Sequence, residues 1–448
     1  YKCFSDDTCQ GSTGACAAGR HGVACSLCLP DHFGGPNGTC QRCQGSVILA
    51  MWLASITIPF IVLLAHILSS SSEMQTRGLL MTLKAFRVSG RQFIKHMQIV
   101  GVVSGFSIGW PLDVKAAFEA VQVFSFRIAD VSATACLADE QTATLELTFR
   151  WCLPIVFAVV GTLTTPFLAA CIRRLILLTH FSRRIRGFSK RLCMTMKDAV
   201  KAVYWCLLLA FPTLISFGFS LLACRHNPND EYTVLIFPHL HCPGSRSGTD
   251  EEWFRLLPVG ILYLLLCFVL ILGFYFYAWV RTVTHLECSA YEGRGAHQFL
   301  FEDFRNTALH WPLLLLARDV VINVVQSLLI NMGTAQLLCT AFFSLMLGYL
   351  CAKQKPYNDF SNNVLEVSNA LSVFTVCVFT AGLGFAQEPS IDTVASMVKG
   401  TDGEESMRVR ALVLLGFQLV SMLGPFLIVG YQLLILIPCV ERRLPPDW

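Results

Sequence analysis

Two hydrophobic segments of the sequence carry ionisable and amide side chains at helical spacing. In the segment 311–330, Asp319, Asn323 and Gln326 follow one another at positions i, i+4 and i+7. This spacing places the three side chains on one face of a helix. Arg318 directly precedes Asp319 and puts an opposite charge beside it. The segment therefore holds a polar stripe within an otherwise apolar helix.

The segment 364–385 holds a second stripe, with Glu366, Asn369 and Ser372 at steps of three residues. Two such stripes suit a cation path, in which carboxylates supply the field and amides replace the hydration shell of the ion. The alternative is that the stripes form hydrogen bonds between helices, with Arg318 neutralising a neighbouring carboxylate. Ionisable groups at membrane depth are costly, so either way these residues are the leading functional candidates.

The composition shows what kind of protein must position these groups. The chain has 448 residues, of which 54% are hydrophobic and 14% charged, whereas soluble proteins carry about 25% charged residues. So little charge cannot coat a water-facing surface, which excludes soluble enzymes, disordered scaffolds and nucleic-acid binders. The net charge of +4 indicates no polyanionic partner unless the basic residues cluster. The fold class is therefore an all-α polytopic membrane protein.

Segments of about 20 apolar residues are long enough to cross the hydrocarbon core of a bilayer. Nine segments are candidates, and the second is the weakest because Lys95, His96 and Gln98 lie near its start. They cover residues 47–68, 93–110, 151–171, 202–224, 256–280, 311–330, 334–352, 364–385 and 411–440. We expect an N-terminal module at 1–46, a membrane domain of about nine helices at 47–440 and a short tail at 441–448.

Lysine and arginine accumulate on the cytoplasmic side of membrane proteins. With the N-terminus outside or in a lumen, nine spans place most of the 34 basic residues in inner loops and the C-terminus in the cytoplasm. The expected location of the protein is the plasma membrane or an endomembrane.

The first 43 residues form a cysteine-rich segment that is too short to fold on a hydrophobic core. Such segments outside the cell are held by disulfides. The spacing Cys25-x2-Cys28 and Cys40-x2-Cys43 also fits a zinc ribbon, but the outer position favours disulfides. The candidates in this segment are Cys3, Cys9, Cys16, Cys25, Cys28, Cys40 and Cys43.

The number of these cysteines is odd, so one partner must lie elsewhere, for example at Cys136 in another outer loop. Cys224 and Cys242, in a third outer loop, are expected to pair with each other. Asn37-Gly38-Thr39 is an N-glycosylation sequon, which suits an extracellular or lumenal module. Because such a module requires export and no signal peptide precedes it, we expect a processed or partial product.

The predicted inner loop 173–201 mixes basic with apolar residues. This pattern suits a segment lying on anionic lipid headgroups, and the alternative is ordinary topogenic charge. The headgroup candidates are Arg173, Arg174, Arg183, Arg184, Arg186, Lys190 and Arg191.

No enzyme motif is present in the sequence, and we expect no catalytic residue, metal or cofactor. The small-residue run Gly101-x3-Gly105-x3-Gly109 permits close helix packing, within one chain or in an oligomer.

Several short motifs together resemble one family. They are Gly19-Arg20-His21-Gly22 before Cys25, then Lys95-His96-Met97-Gln98 and Gly109-Trp110-Pro111, then Trp311 with Arg318, and finally Lys355-Pro356-Tyr357 with Asn363-Val364-Leu365-Glu366. The chain resembles multipass membrane proteins of protists with EGF-like or TNF-receptor-like ectodomains. Its membrane region is similar to the fungal TRP-like family, which is also called polycystin-like or flavin-carrier.

The resemblance implies a membrane domain of roughly nine helices linked to calcium-permeable, force-sensitive cation conduction. The leading hypothesis is a TRP-like cation channel or channel subunit. One alternative is a transporter of lipids or small molecules, because some family members are associated with flavin or lipid handling. The other is a receptor or structural membrane protein that docks an extracellular assembly through its cysteine-rich ectodomain.

Overall fold

A computed structural model provides the structure of the chain. It describes residues 9–10, 15–16, 18–21, 27–29, 32–34, 40–42, 61, 79–106, 108, 143–178, 195–226, 231–235, 237–244, 251–287, 300–382, 413, 416 and 427. The chain divides into two compact units. Unit 1 comprises Tyr1–Ile67 and Phe126–Cys267, and unit 2 comprises Leu68–Ser125 and Phe268–Trp448.

The N-terminal segment of unit 1 forms three small antiparallel hairpins. Strands β1 (Cys9–Gln10) and β2 (Ala15–Cys16) pair first, then β3 (Arg20–His21) with β4 (Leu27–Cys28), and β5 (His32–Gly34) with β6 (Cys40–Arg42). Cys16 and Cys40 are each disulfide-bonded. A disulfide at Cys40 removes one thiolate from the zinc-ribbon alternative. The predictions for Cys3, Cys25, Cys43, Cys136 and the sequon at Asn37 lie outside the described residues.

Two long helices follow in unit 1, α2 (Ala143–Leu178) and α3 (Met196–Phe219), counting the helix Leu79–Ser104 of unit 2 as α1. A capping box begins α3, because the Thr195 hydroxyl accepts from the Asp198 amide and the Asp198 carboxylate accepts from the Thr195 amide at 3.0 Å. The pair satisfies amides that would otherwise lack partners at a helix start. Helices α2 and α3 pack on each other through Ala202 and Val203 of α3.

A three-stranded antiparallel sheet lies between α3 and the next helix. It consists of β7 (Cys224–His226), β8 (Tyr232–Val234) and β9 (Phe237–His241). The predicted disulfide between Cys224 and Cys242 is confirmed, and it joins the start of β7 to the residue after β9. The strands are too short to be stable as an isolated hairpin, so the disulfide holds the sheet together.

The remaining helices continue the chain from unit 1 into unit 2. A continuous helical stretch begins with α4 (Glu251–Cys267), passes through a π-helix at Phe268–Gly273 and continues as α5 (Phe274–Glu287). Its first 34 residues, Glu251–Thr284, form one candidate membrane span. Helices α6 (Trp311–Leu328), α7 (Gly333–Gln354) and α8 (Phe360–Gly382) complete the described part of unit 2.

Six helices in the described part of the chain are long and apolar enough to cross a membrane, so the protein is an integral membrane protein. They are Pro154–Leu175, Asp198–Leu222, Glu251–Thr284, Asn306–Leu328, Gly333–Gln354 and Phe360–Gly382. They match the predicted spans from the third to the eighth. The first span, 47–68, lies outside the described residues apart from Ile61, and so does the ninth, 411–440, apart from Val413, Gly416 and Leu427.

The predicted second span, 93–110, is replaced by a helix with different bounds. Helix α1 runs over Leu79–Ser104, so it begins 14 residues earlier and ends before Gly105. It also includes Lys84, Arg87, Arg91 and Lys95, which hydropathy assigned to a loop or to the span's polar edge. Lys95 can lie within this helix because α1 packs there against polar side chains of α6 and α8.

Candidate functional site

Four charged side chains of unit 2 meet where α1, α6 and α8 pack together. They are Lys95 of α1, Arg318 and Asp319 of α6, and Glu366 of α8, and we refer to these four residues as the charge layer. The sequence stripes on α6 and α8 predicted three of them. The fourth, Lys95, comes from α1, which the span prediction did not identify over its full length.

The Asp319 carboxylate is fully buried and is held from two helices. Its Oδ2 accepts from Lys95 Nζ at 2.6 Å. Its Oδ1 accepts from Arg318 Nε at 3.2 Å and from Arg318 Nη2 at 3.1 Å. Charged hydrogen bonds of this kind are the stronger ones in proteins, so Asp319 joins α1 to α6.

The Glu366 carboxylate joins α8 to the same two helices. Its Oε1 accepts from Arg318 Nη1 at 3.1 Å, and its Oε2 accepts from Gln92 Nε2 at 3.0 Å and from Tyr357 Oη at 3.1 Å. Burial raises the pKa of Tyr357 well above its usual value, and the charge of Glu366 raises it further. The hydroxyl of Tyr357 therefore keeps its proton and donates a hydrogen bond to Glu366.

The charge layer is electrically neutral, because Lys95 and Arg318 balance Asp319 and Glu366. Taking four charges out of water is expensive, and well-packed apolar residues of similar volume often give equal or better stability. Arg318 contacts both carboxylates, whereas Lys95 contacts Asp319 alone among the hydrogen bonds described for the layer. The two cations are thus held unequally.

Helices α1 and α8 run in the same direction along this contact. Ser89 Oγ donates to Asn362 Oδ1 at 2.7 Å, Gln92 follows with Glu366, and His96 Nε2 lies 3.5 Å from Ser372 Oγ. Residue numbers rise together on both helices, as expected for parallel neighbours. Ser89, Gln92 and His96 therefore recur at helical spacing on α1, and this polar face of α1 lies against the polar face of α8.

Apolar clusters lie on both sides of the polar stretch of α1. Before it, Val88 belongs to a cluster that we call the Tyr357 cluster, with Phe304, Trp311, Cys351 and Tyr357. After it, α1 enters a second group, the Val103 cluster, formed by Ile99, Val102, Val103, Phe106, Ile322, Leu337, Ala341, Val373 and Cys377. Along α1 the charge layer is therefore enclosed between two apolar layers.

Several buried amide oxygens near the charge layer have no hydrogen-bond partner in the described part of the chain, among them those of Gln92, Asn323 and Asn369. Asn323 lies one turn after Asp319 on α6, and Asn369 lies one turn after Glu366 on α8. The Asn323 side chain is 1% exposed and Asn369 is 5% exposed, and the Oδ1 atom of each is buried without a partner. Buried polar atoms normally find a partner, which makes the Asn323 and Asn369 oxygens candidate ligands.

The turn between α7 and α8 places the Tyr357 hydroxyl on Glu366. Lys355 adopts a left-handed conformation, with φ of 47°, and ends α7. Asn363 then holds Tyr357 at both backbone atoms: its Oδ1 accepts from Tyr357 N at 3.0 Å and its Nδ2 donates to Tyr357 O at 2.9 Å. Lys355-Pro356-Tyr357 and Asn363 therefore act together to hold the Tyr357 hydroxyl against Glu366.

Gln326, the third polar candidate on α6, lies among contacts between neighbouring helices. The Gln326 backbone carbonyl accepts from Gln336 Nε2 at 2.9 Å. A Cβ atom added to Gly105 would lie 2.5 Å from Gln326 Nε2. The absent side chain at Gly105, one member of the predicted glycine run, thus lets α1 approach α6. Gln326 lies away from the charge layer, although it shares a helix with Asp319.

The basic headgroup candidates are described only at two positions. Arg173 and Arg174 are exposed near the end of α2. The other candidates, Arg183, Arg184, Arg186, Lys190 and Arg191, lie outside the described residues. The lipid-headgroup role therefore stays a prediction.

Sequence reasoning did not identify Lys95, Gln92, Ser89 and Tyr357 as members of this site. From the sequence, Lys95 is only a charge near the start of the weak second span. A usable signal was present, because Ser89, Gln92 and His96 recur at steps of three and four residues. Apolar residues then continue this face at Ile99 and Val103.

Comparison of the chain with protein-family models, curated proteins and solved structures yields no significant match. Within the part of the chain that the structure describes, no group of three or more His, Cys, Asp and Glu side chains could hold a metal ion. The functional conclusion therefore depends on the charge layer itself.

Proposed function

We propose that this protein is a cation-conducting membrane protein, a TRP-like channel or channel subunit, whose route follows the contact between α1, α6 and α8. The charge layer closes that route. The observation that carries the proposal is a neutral set of four buried charges between α1 and two helices long and apolar enough to span a membrane, with unpartnered amide oxygens on those two helices.

The energetic argument is that a helix bundle gains little stability from buried ions. An apolar layer of the same volume would hold α1, α6 and α8 together at least as well. Ionisable side chains at membrane depth are rare and mark ion or proton pathways. Conduction supplies a reason for keeping them that packing alone does not.

The contacts also indicate how the route would open. Only two described hydrogen bonds join α1 to the carboxylates, Lys95 to Asp319 and Gln92 to Glu366. A displacement of α1 breaks both, while Arg318 stays with Asp319 and Glu366 on α6 and α8. The carboxylates and the amide oxygens of Asn323 and Asn369 then face the path that α1 has left.

The test is cation flux and single-channel recording with the purified chain in liposomes. Asp319→Asn and Glu366→Gln remove one charge each with little change in volume, and we expect a change of at least tenfold in conductance or in cation selectivity. Glu251→Gln is the matched control, because Glu251 forms an exposed ion pair with Arg255. Unchanged currents in folded Asp319→Asn and Glu366→Gln proteins contradict the assignment.

A double variant separates conduction from stability. Lys95→Met with Asp319→Leu removes one ion pair and leaves Arg318 balanced by Glu366, so the layer stays neutral. We expect the thermal stability to be kept and the conduction to be lost or to become unselective. Normal conduction in this folded protein would assign the ion pairs to structure alone.

The same recordings distinguish the alternatives. Saturable flux without unitary current steps would identify a transporter, in which the polar faces line a closed cavity. Absence of transport, together with a stable partner retained by the ectodomain, would identify a receptor or structural protein.

A further inference from the structure

We propose that the Lys95 ammonium occupies a binding site for a monovalent cation, and that the conducted ion takes the place of this ammonium on Asp319. The inference rests on the proposed function, since it names the ion class and the residue that competes with it. It is tested by binding and not by flux, so the two proposals can fail separately.

Lys95 is the exchangeable cation of the charge layer. Its Nζ lies 2.6 Å from Asp319 Oδ2, and its side chain is 12% exposed, close to the 11% of Arg318, so the number of ionic contacts distinguishes the two cations. Arg318 lies beside Asp319 on α6 and bonds to two carboxylates through three nitrogens. A flexible lysine stem with one ionic contact leaves more readily than a guanidinium fixed by both carboxylates.

The charge count selects the valence of the ion. With Lys95 bound the layer has no net charge, and a monovalent ion in the same place keeps it neutral. A divalent ion would leave an excess positive charge beside Arg318, in a region where water does not screen it. The resemblance to TRP-like proteins implies calcium permeation, but the charge balance of this layer favours sodium or potassium.

The oxygens around Asp319 supply ligands for such an ion. Asn323 Nδ2 donates to the Asp319 carbonyl at 2.7 Å. The opposite end of the planar amide, Oδ1, is buried and has no hydrogen-bond partner. Asp319 Oδ2, Asn323 Oδ1 and the unpartnered Asn369 Oδ1 on α8 are carboxylate and amide oxygens, the ligand type that hard cations prefer, and we assign them as ligands of the ion.

The first test uses the Lys95→Gln variant of the full chain in detergent. This change removes the tethered charge and leaves the layer with one uncompensated carboxylate. We expect sodium or potassium chloride to raise the melting temperature of the variant in a saturable way, compared with N-methylglucamine chloride at equal ionic strength. The wild type should need at least tenfold more salt for the same rise, because its own ammonium competes.

Two control variants make the test specific. Lys353→Gln removes an exposed lysine of α7 and should behave like the wild type. Lys95→Gln combined with Asp319→Asn removes the binding carboxylate and should lose the salt response. Equal responses in wild type and Lys95→Gln would overturn the proposal, and so would stronger stabilisation of the variant by calcium than by sodium or potassium.

A second measurement needs no variant at all. Wild-type protein is treated with an amine-reactive reagent, and modification of Lys95 is followed by mass spectrometry as sodium replaces N-methylglucamine. Displacement of the ammonium should increase Lys95 modification at least threefold, with Lys353 unchanged as an internal reference. Constant modification of Lys95 over the full sodium range would refute the exchange. Because this measurement uses the wild-type protein, it holds even where Lys95→Gln does not fold.

Discussion

In unit 1, α2 turns an apolar stripe of four residues outward, whereas in unit 2, α6 turns its polar stripe into the core. The outward residues are Ile155, Val159, Leu163 and Phe167, at steps of four, and Phe167 is 74% exposed. On α6, the polar residues Asp319 and Asn323 are nearly inaccessible. Both helices meet the length and hydropathy expected of a membrane span.

The comparison shows that hydropathy does not state which face of a membrane helix meets the lipid. Lipid tails are as apolar as leucine side chains, so exposing Phe167 to the bilayer costs little. Burying Asp319 is costly unless it is paired, and its partners come from α1 and α6. In unit 2, polar pairing accordingly specifies which helices meet, while α2 and α3 of unit 1 meet through apolar packing.

The largest expected effect comes from removing the central cation of unit 2. Arg318→Ala leaves two buried carboxylates facing Lys95 alone, and breaking a buried ion pair in this way costs about 3–5 kcal/mol. Unfolding of the purified protein in detergent measures the loss. In unit 1, Arg255→Ala breaks an exposed pair whose side chains are 81% and 87% accessible, and its stability should be unchanged. Similar losses in the two variants would remove the difference between the units.

An intermediate effect is expected from the disulfide of unit 1. Replacing Cys224 and Cys242 together by serine opens a loop with a sequence separation of 18. Disulfides over such loops contribute about 2–4 kcal/mol. Limited proteolysis should then cut the chain between β7 and β9. The charge layer should be unaffected, so that the salt response of Lys95→Gln is kept in the combined variant. A cut within α6 or α8 would contradict independent stabilisation of the two units.

The smallest effects come from two helical glycines. A Cβ at Gly218 of α3 would collide with the Leu264 side chain, whereas a Cβ at Gly90 of α1 meets nothing within 4 Å. Gly218→Ala should destabilise by about 1–3 kcal/mol through overpacking. Gly90→Ala should stabilise by about 0.5–1 kcal/mol, because alanine favours the helix. Thermal melting distinguishes the two signs, and a gain at Gly218 would show that this helix contact is loosely packed.

The sequence predicted two of the three helices of the candidate site. The stripes on α6 and α8 were recognisable because Asp319 and Glu366 interrupt long apolar segments. Helix α1 was not recognised over its full length, since its polar residues from Ser89 to His96 lower the hydropathy on which span prediction depends. Its apolar continuation, from Ile99 onward, predicts only the shorter span 93–110.

The pairing of Cys224 with Cys242 was predictable because both lie in one short segment between two spans. The pairing of Lys95 with Asp319 was not, because 224 residues separate the partners. Nothing in local spacing indicates which of many lysines meets a given carboxylate.

The sequence by itself determined that this chain is an integral membrane protein with ionisable groups in its apolar segments. Composition and span length suffice for that, because the cost of exposing backbone and charge to lipid acts on each segment separately. Only the tertiary structure decided that Lys95, Arg318, Asp319 and Glu366 form one neutral layer between two apolar clusters. Such a layer depends on which faces of three helices meet, and that is set by the packing of the whole bundle.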